Sequence, residues 1–152
     1  MAVITIDQSG KIEKTNVDTV VAAAGVKPFV VLLPSGIKRR LAETVKRRNI
    51  GKLSRYPTLR LFTACVFLSL ERLSANDLVI IDYEYTGRHS EAFIRSRLLE
   101  YIKKRYHAFE KEQISFGKIG KDTEAHRLAN ETFRRRRKPD KVITENELIG
   151  LI

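Results

Sequence analysis

Paired cysteines are missing from this sequence. The one cysteine, Cys65, has no partner for an intrachain disulfide. It lies in the apolar stretch LFTACVFLSL, where a thiol reads as a small buried hydrophobe in a reducing compartment. The same lack excludes a zinc site built from cysteine pairs. Long apolar runs are missing too: residues 61–70 form the longest nearly apolar stretch, well short of the roughly 20 residues a membrane-spanning helix needs. The start, MAVITIDQ, has no basic segment followed by an apolar one, so a soluble, cytoplasmic protein away from membranes is expected. There is no glycine-rich phosphate loop of the Walker kind, no dinucleotide-binding fingerprint and no serine in a nucleophile elbow.

Acid is in short supply. Eighteen Asp and Glu stand against 29 Lys and Arg, a formal charge of +11 and a pI near 10. That is the long-range field of a protein with a polyanionic partner, and nucleic acid, whether RNA, DNA or a hybrid, leads the candidates. Solubility alone is the competing explanation of the charge. With 152 residues, 43% of them hydrophobic, the chain is expected to build one domain around a real core. Residues 134–152 then form a basic helix end and a tail.

Strand signals come first. AVITID alternates apolar and β-branched residues and meets the turn signal QSG, after which KIEKT can run back as a hairpin partner ending near Thr15. DTVVAAAG and FVVLLP are two further Val-rich runs, separated by a turn at Gly25 and Pro28. SGIKRRLAETVKRRN spaces Ile37, Leu41 and Val45 four apart among Lys and Arg, the pattern of a short basic amphipathic helix. KLSRYP breaks it at Pro57. From Thr58 to Leu73 apolar residues wrap most of the way round a helix, which predicts a central helix buried on more than one side.

DLVIIDYEY follows as a central strand. TGRHS predicts a turn with Ser90 as N-cap, and Ile94, Leu98, Ile102 and Tyr106 mark a helix reaching about Phe109. QISFGKIG is a further strand. KDTEAHRLANETFRRRRK is a last long helix with Asp122 or Thr123 as cap and Ala125, Leu128, Ala129 and Thr132 or Phe133 packed, ended by Pro139. VITENELIGLI forms a short closing element. Three strands, two helices and then βα alternation imply a mixed sheet, antiparallel on one side and parallel on the other, covered by helices.

Carboxylates stand at telling places in this order. Asp7 ends the first strand's apolar run, Asp82 ends the fourth strand's, and Asp122 with Glu124 opens the last long helix. If the first and fourth strands are parallel neighbours, their acids meet at one edge of the sheet. Glu84, two residues past Asp82, would share its strand face and join them. Clustered carboxylates stay ionised only beside compensating cations, and oxygen ligands suit Mg²⁺ or Mn²⁺. Two such ions can activate a water and stabilise the leaving oxygen of a phosphodiester. Other roles remain open. Asp7 ahead of Ser9 and Gly10 also suits an Asx-turn, and Asp122 a helix cap. Asp82 fits no such role, because an acid after four apolar residues of a central strand needs compensation.

The order of elements, ITIDQSG on the first strand, LVIIDYE on the fourth and EAHRLAN in the final long helix resemble the ribonuclease H-like superfamily over about residues 3–133. The resemblance implies an α/β fold with a mixed five-stranded sheet, three antiparallel strands then parallel βα units, and flanking helices. It implies metal-dependent hydrolysis of nucleic-acid phosphodiesters, with two Mg²⁺ or Mn²⁺ ions held by Asp7, Asp82 and one of Asp122 or Glu124. One departure is that His126, rather than an acid, falls on the metal-binding position of the family's last motif. Two more stand out. TLRLFTA has no glutamate where the bacterial-type enzymes carry one early in the long helix, Glu71 coming nearly three turns later. DQSG also lacks the second acid of the DEAG opening of type II enzymes.

The missing helix glutamate and His126 favour the alternative, a non-catalytic RNA- or nucleic-acid-binding module on the same fold. Its clamp would be Lys38, Arg39, Arg40, Arg47 and Arg48 of the basic helix with Arg134, Arg135, Arg136, Arg137 and Lys138. Helix-end cations also suit the helix dipole, so the second group has a structural role open to it as well. Tyr83 and Tyr85 could stack on bases or serve packing. His89, in a loop, and His107, at a helix end, read as surface residues.

Overall fold

The computed structural model describes residues 1–48, 57–85 and 87–152, apart from the side chains of residues 42–48. Six strands form one mixed sheet in the order β5-β4-β1-β2-β3-β6. β1 (Val3–Ser9), β2 (Thr19–Ala24) and β3 (Phe29–Leu33) pair antiparallel. On the other side of β1, β4 (Leu78–Asp82) and β5 (Ile114–Gly117) run parallel to it. The expected five strands in their expected orientations are therefore joined by a sixth. β6 (Lys141–Val142) lies parallel to β3 and forms the far edge. It is too short for a periodic signal, and Asp140 sets its place by accepting the Val30 N–H on its carboxylate while donating its own N–H to the Val30 carbonyl, each at 2.8 Å.

Alternation along the strands divides the apolar residues between two faces. Ile4 and Ile6 of β1, Val21 and Ala23 of β2, Val31 and Leu33 of β3 and Val79 and Ile81 of β4 enter the larger core. That core is closed by α2 (Pro57–Ser69) and α3 (Arg88–Lys103), through Phe62, Cys65, Val66, Ile94, Leu98 and Ile102. Burial of this many Leu, Ile, Val and Phe side chains, each contributing about 1.5–3 kcal/mol, is the main force holding the layers. α2 is buried on several sides, as its composition predicts, and its two buried hydroxyls, Thr63 and Ser69, donate to the Leu59 and Val66 carbonyls of the same helix at 2.6 Å. The intervening residues Val20, Ala22 and Val30 face the opposite way and pack on Leu128 and Ala129 of α4 (Glu124–Phe133). α5 (Glu145–Ile149) closes the described chain, with Leu148 in the larger core.

Several expected boundaries move. KIEKT is not a strand: β1 passes into a loop over residues 10–18, and β2 starts at Thr19. The alternating pattern there has only Ile12 to bury, and Ile12 anchors the loop in the core. α1 (Ser35–Arg48) is the expected basic helix, with Leu41 buried and Ile37 packed beside it. The side chain of Val45 and residues 52–56 lie outside what the structure describes, and Pro57, where the pattern was expected to break, is the first residue of α2. α3 begins at Arg88 after Gly87, so Ser90 is inside the helix instead of capping it, and His89 is helical. α3 stops at Lys103, because the N–H groups of Lys104 and Arg105 turn back to the carbonyls of Tyr101 and Ile102. The cap of α4 is Thr123, whose hydroxyl accepts the His126 N–H, leaving Asp122 exposed. α4 ends at Phe133, well before Pro139, because Arg135 takes a left-handed φ of 61°. The run Arg134 to Lys138 is thus a turn following the helix.

Candidate metal centre

The site grows from one pair of neighbouring strands. β1 and β4 run parallel with Ile6 level with Ile81, so the next residues, Asp7 and Asp82, end up side by side at the C-terminal edge. Because Ile6 and Ile81 face the larger core, alternation turns both acids to the α4 side of the sheet. Asp7 is buried, with 4% of its surface exposed, and is a strand residue paired with Ala22. It makes no Asx-turn, its Oδ1 accepting the N–H of the next residue, Gln8, at 2.8 Å. Asp82 is half-buried, and its Oδ1 accepts the Ile119 N–H at 2.8 Å, which fixes the carboxylate from the loop after β5.

Glu84 joins them by a route that strand alternation did not foresee. β4 ends at Asp82, and the Glu84 N–H donates to the Asp82 carbonyl at 2.8 Å in a tight turn that swings the side chain back. One carboxylate oxygen from each of Asp7, Asp82 and Glu84 lies within 4.8 Å of the others. His126, in the first turn of α4, places Nδ1 2.9 Å from Asp7 Oδ2. Among the described residues it is the one cation-forming side chain within ion-pairing distance of the three acids.

The electrostatics follow from this crowding. Burial pushes the Asp7 carboxyl up, the charge of Asp82 adds to the rise, and the Gln8 N–H and His126 oppose it. Burial likewise pushes Glu84 up, reinforced by the charges of Asp82 and Asp7 and countered by Lys11. Three carboxylates held together with no lysine or arginine among the described residues bridging them form a set of hard oxygen donors, which fits a divalent cation such as Mg²⁺ or Mn²⁺.

The other nominated residues lie elsewhere. Asp122 is exposed and outside the cluster. Glu124, also exposed, lines a shallow cleft with Val3, Thr5 and Ala24, toward the other end of β1. Lys38 is the clear correction to the phosphate-binding set. It is fully buried, and its Nζ donates to the carbonyls of Lys11 at 3.3 Å and Lys14 at 2.7 Å and to Thr19 Oγ1 at 2.9 Å. Arg39 donates to the Thr15 carbonyl at 2.8 Å. Arg40 pairs with Glu145 at 3.3 Å and Arg137 with Asp140 at 3.6 Å. Arg134, Arg135, Arg136 and Lys138 are exposed, while the side chains of Arg47 and Arg48 lie outside the described residues.

Two further side chains pair behind the site, on the other face of the sheet. Gln8 is buried on the face opposite Asp7, with its amide 3.5 Å from the Tyr85 hydroxyl. Tyr85 in turn meets Phe62 edge-on, ring centroids 4.8 Å apart, so its role in this structure is packing. The available signal was a glutamine on the apolar register of β1, two positions after Ile6. Tyr83 is 50% exposed beside the cluster. Comparison of the chain with models of protein families and with curated proteins gives no match.

Proposed function

We propose that this protein is a divalent-metal-dependent nuclease of the ribonuclease H-like kind, hydrolysing nucleic-acid phosphodiesters. The observation that carries the reading is the convergence of Asp7, Asp82 and Glu84 within 4.8 Å at the edge of two parallel strands. The strand order β5-β4-β1-β2-β3 within the sheet supports it, as does the charge of +11, which suits a phosphate backbone.

In this reading the three carboxylates hold Mg²⁺ or Mn²⁺, and Glu84 supplies an acid that α2, with none among its residues, cannot. Such ions, when bound, activate a water and stabilise the leaving oxygen. The chain's own part is orientation. The Gln8 and Ile119 N–H groups fix one oxygen each of Asp7 and Asp82, leaving the second oxygens for ligation or for His126. His126 keeps its ring directed by Asp7 and can take or give a proton at the ring nitrogen that Asp7 does not engage. The exposed lysines and arginines hold the flanking phosphates.

The test is cleavage of labelled RNA, DNA and RNA/DNA hybrid in Mg²⁺ or Mn²⁺, with Asp7→Asn and Asp82→Asn alongside. Metal-dependent cutting that both substitutions abolish is the expected result. Tight binding without cutting in either metal would replace the nuclease with a nucleic-acid clamp, the reading that the acid-free α2 favours.

A further inference from the structure

The loop between β1 and β2 is irregular and yet heavily fastened. Gly10, at φ 77°, lies so close to its neighbours that a Cβ there would stand 2.1 Å from the Asp18 carbonyl and 2.5 Å from a ring carbon of Phe133. Ile12 is buried in the larger core. Three of the loop's carbonyls, those of Lys11, Lys14 and Thr15, accept hydrogen bonds from the basic side chains of α1. At the far end Asp18 Oδ1 accepts the Ser35 N–H at the start of α1, at 2.9 Å. Burying the Lys38 ammonium completely is costly unless all its protons are bonded, and it has three acceptors, two of them in this loop.

This fastening holds Lys11 and Lys14 outward, both exposed, immediately beyond the strand end that carries Asp7. Because β1 and β4 run parallel, Lys11 follows β1 at the same edge of the sheet as the turn after β4 that carries Glu84. Resting on the nuclease reading, we propose that the loop 10–18 is a pre-formed phosphate-binding element, with Lys11 and Lys14 gripping the nucleic-acid backbone beside the acid cluster. Preorganisation is the reason to fasten it: side chains whose backbone is already fixed lose less entropy on binding. Glu13, also exposed, lies between the two lysines and opposes them.

The test measures affinity, with cleavage suppressed by EDTA, for a labelled single-stranded RNA and a labelled RNA/DNA hybrid over a range of salt. All substituted positions are exposed, so the variants keep the fold. Lys11→Gln/Lys14→Gln is expected to weaken binding roughly three- to tenfold and to reduce the salt slope by about one to two. Glu13→Gln is expected to tighten it about twofold. The control is Lys103→Gln/Lys104→Gln, the same change of charge where α3 leads toward the start of β5, with an expected effect under about twofold. Equal weakening by the two double variants, or none from Lys11→Gln/Lys14→Gln, overturns the loop assignment. A wild-type chain that binds neither probe overturns the nuclease reading itself.

Discussion

Replacing Asp82 by Asn should stabilise the metal-free fold. Asn is nearly isosteric and retains the Oδ1 that accepts the Ile119 N–H, so the change removes charge and little else. Two unit charges within 4.8 Å of each other repel by at least about 3.5 kcal/mol at an effective dielectric of about 20. Solvent at the half-buried Asp82 and Glu84 and partial protonation reduce that figure. A gain of about 1–2 kcal/mol is expected, or about 2–8 °C in Tm for a chain of this size. The pH dependence carries the same signature. Asp7 and Glu84 are raised above their ordinary values of 3.8 and 4.5, so the folded state holds those protons more tightly than the unfolded chain does. Metal-free stability therefore falls as pH rises from about 4 through the raised folded pKa values, and Asp82→Asn makes that fall shallower. Mg²⁺ or Mn²⁺ should reverse the order, adding about 2.7 kcal/mol to the wild type at a hundred times Kd and much less to the variant. Thermal melts from pH 4 to 8, with EDTA or with metal, measure all of this. A metal-free variant no more stable than wild type, or one that metal stabilises equally, would refute the account of the site.

Three further outcomes follow from the packing. Lys38→Met strands two carbonyls and the Thr19 hydroxyl and should cost about 2–4 kcal/mol in urea unfolding, after the relief of a buried charge is counted; a neutral result would show that the loop is not fastened by this ammonium. Gly10→Ala places a Cβ against the Asp18 carbonyl and Phe133 in a left-handed backbone, an expected loss of more than about 2 kcal/mol that Gly36→Ala, whose Cβ would meet nothing nearer than 3.7 Å, should not share. Burial pushes the Cys65 thiol up to about 12, so iodoacetamide should leave it unmodified at pH 8 until the protein is denatured; rapid native labelling would contradict its place in the core.

How much of this was legible depends on whether the signal was local. The apolar runs of β2, β3 and β4 and the all-round apolar α2 could be read directly, because every residue in them is buried or half-buried. KIEKT misled because its alternation is genuine while its single apolar residue, Ile12, serves as an anchor; what decides against a strand is the set of hydrogen bonds from α1, made by residues more than twenty positions away. β6 depends on Asp140 finding Val30, a contact over 110 residues that two strand residues cannot announce.

Lys38 shows the same conflict within one side chain. Its charge assigned it to the surface with Arg39 and Arg40, but its position beside Ile37 and three residues before the buried Leu41 lies on the apolar stripe of α1. Stripe position outweighed charge because the loop 10–18 offered acceptors enough to solvate an ammonium inside the protein. For the acids the balance runs the other way. Asp7 stands between buried residues and Asp82 directly after the buried Ile81, and no lysine or arginine among the described residues forms an ion pair with them. A fold that solvates Lys38 with three acceptors sets, among the described residues, only His126 and two backbone N–H groups against three crowded carboxylates. That asymmetry is the physical case for a cation at the strand ends, and the response of the Asp82→Asn variant to metal decides it.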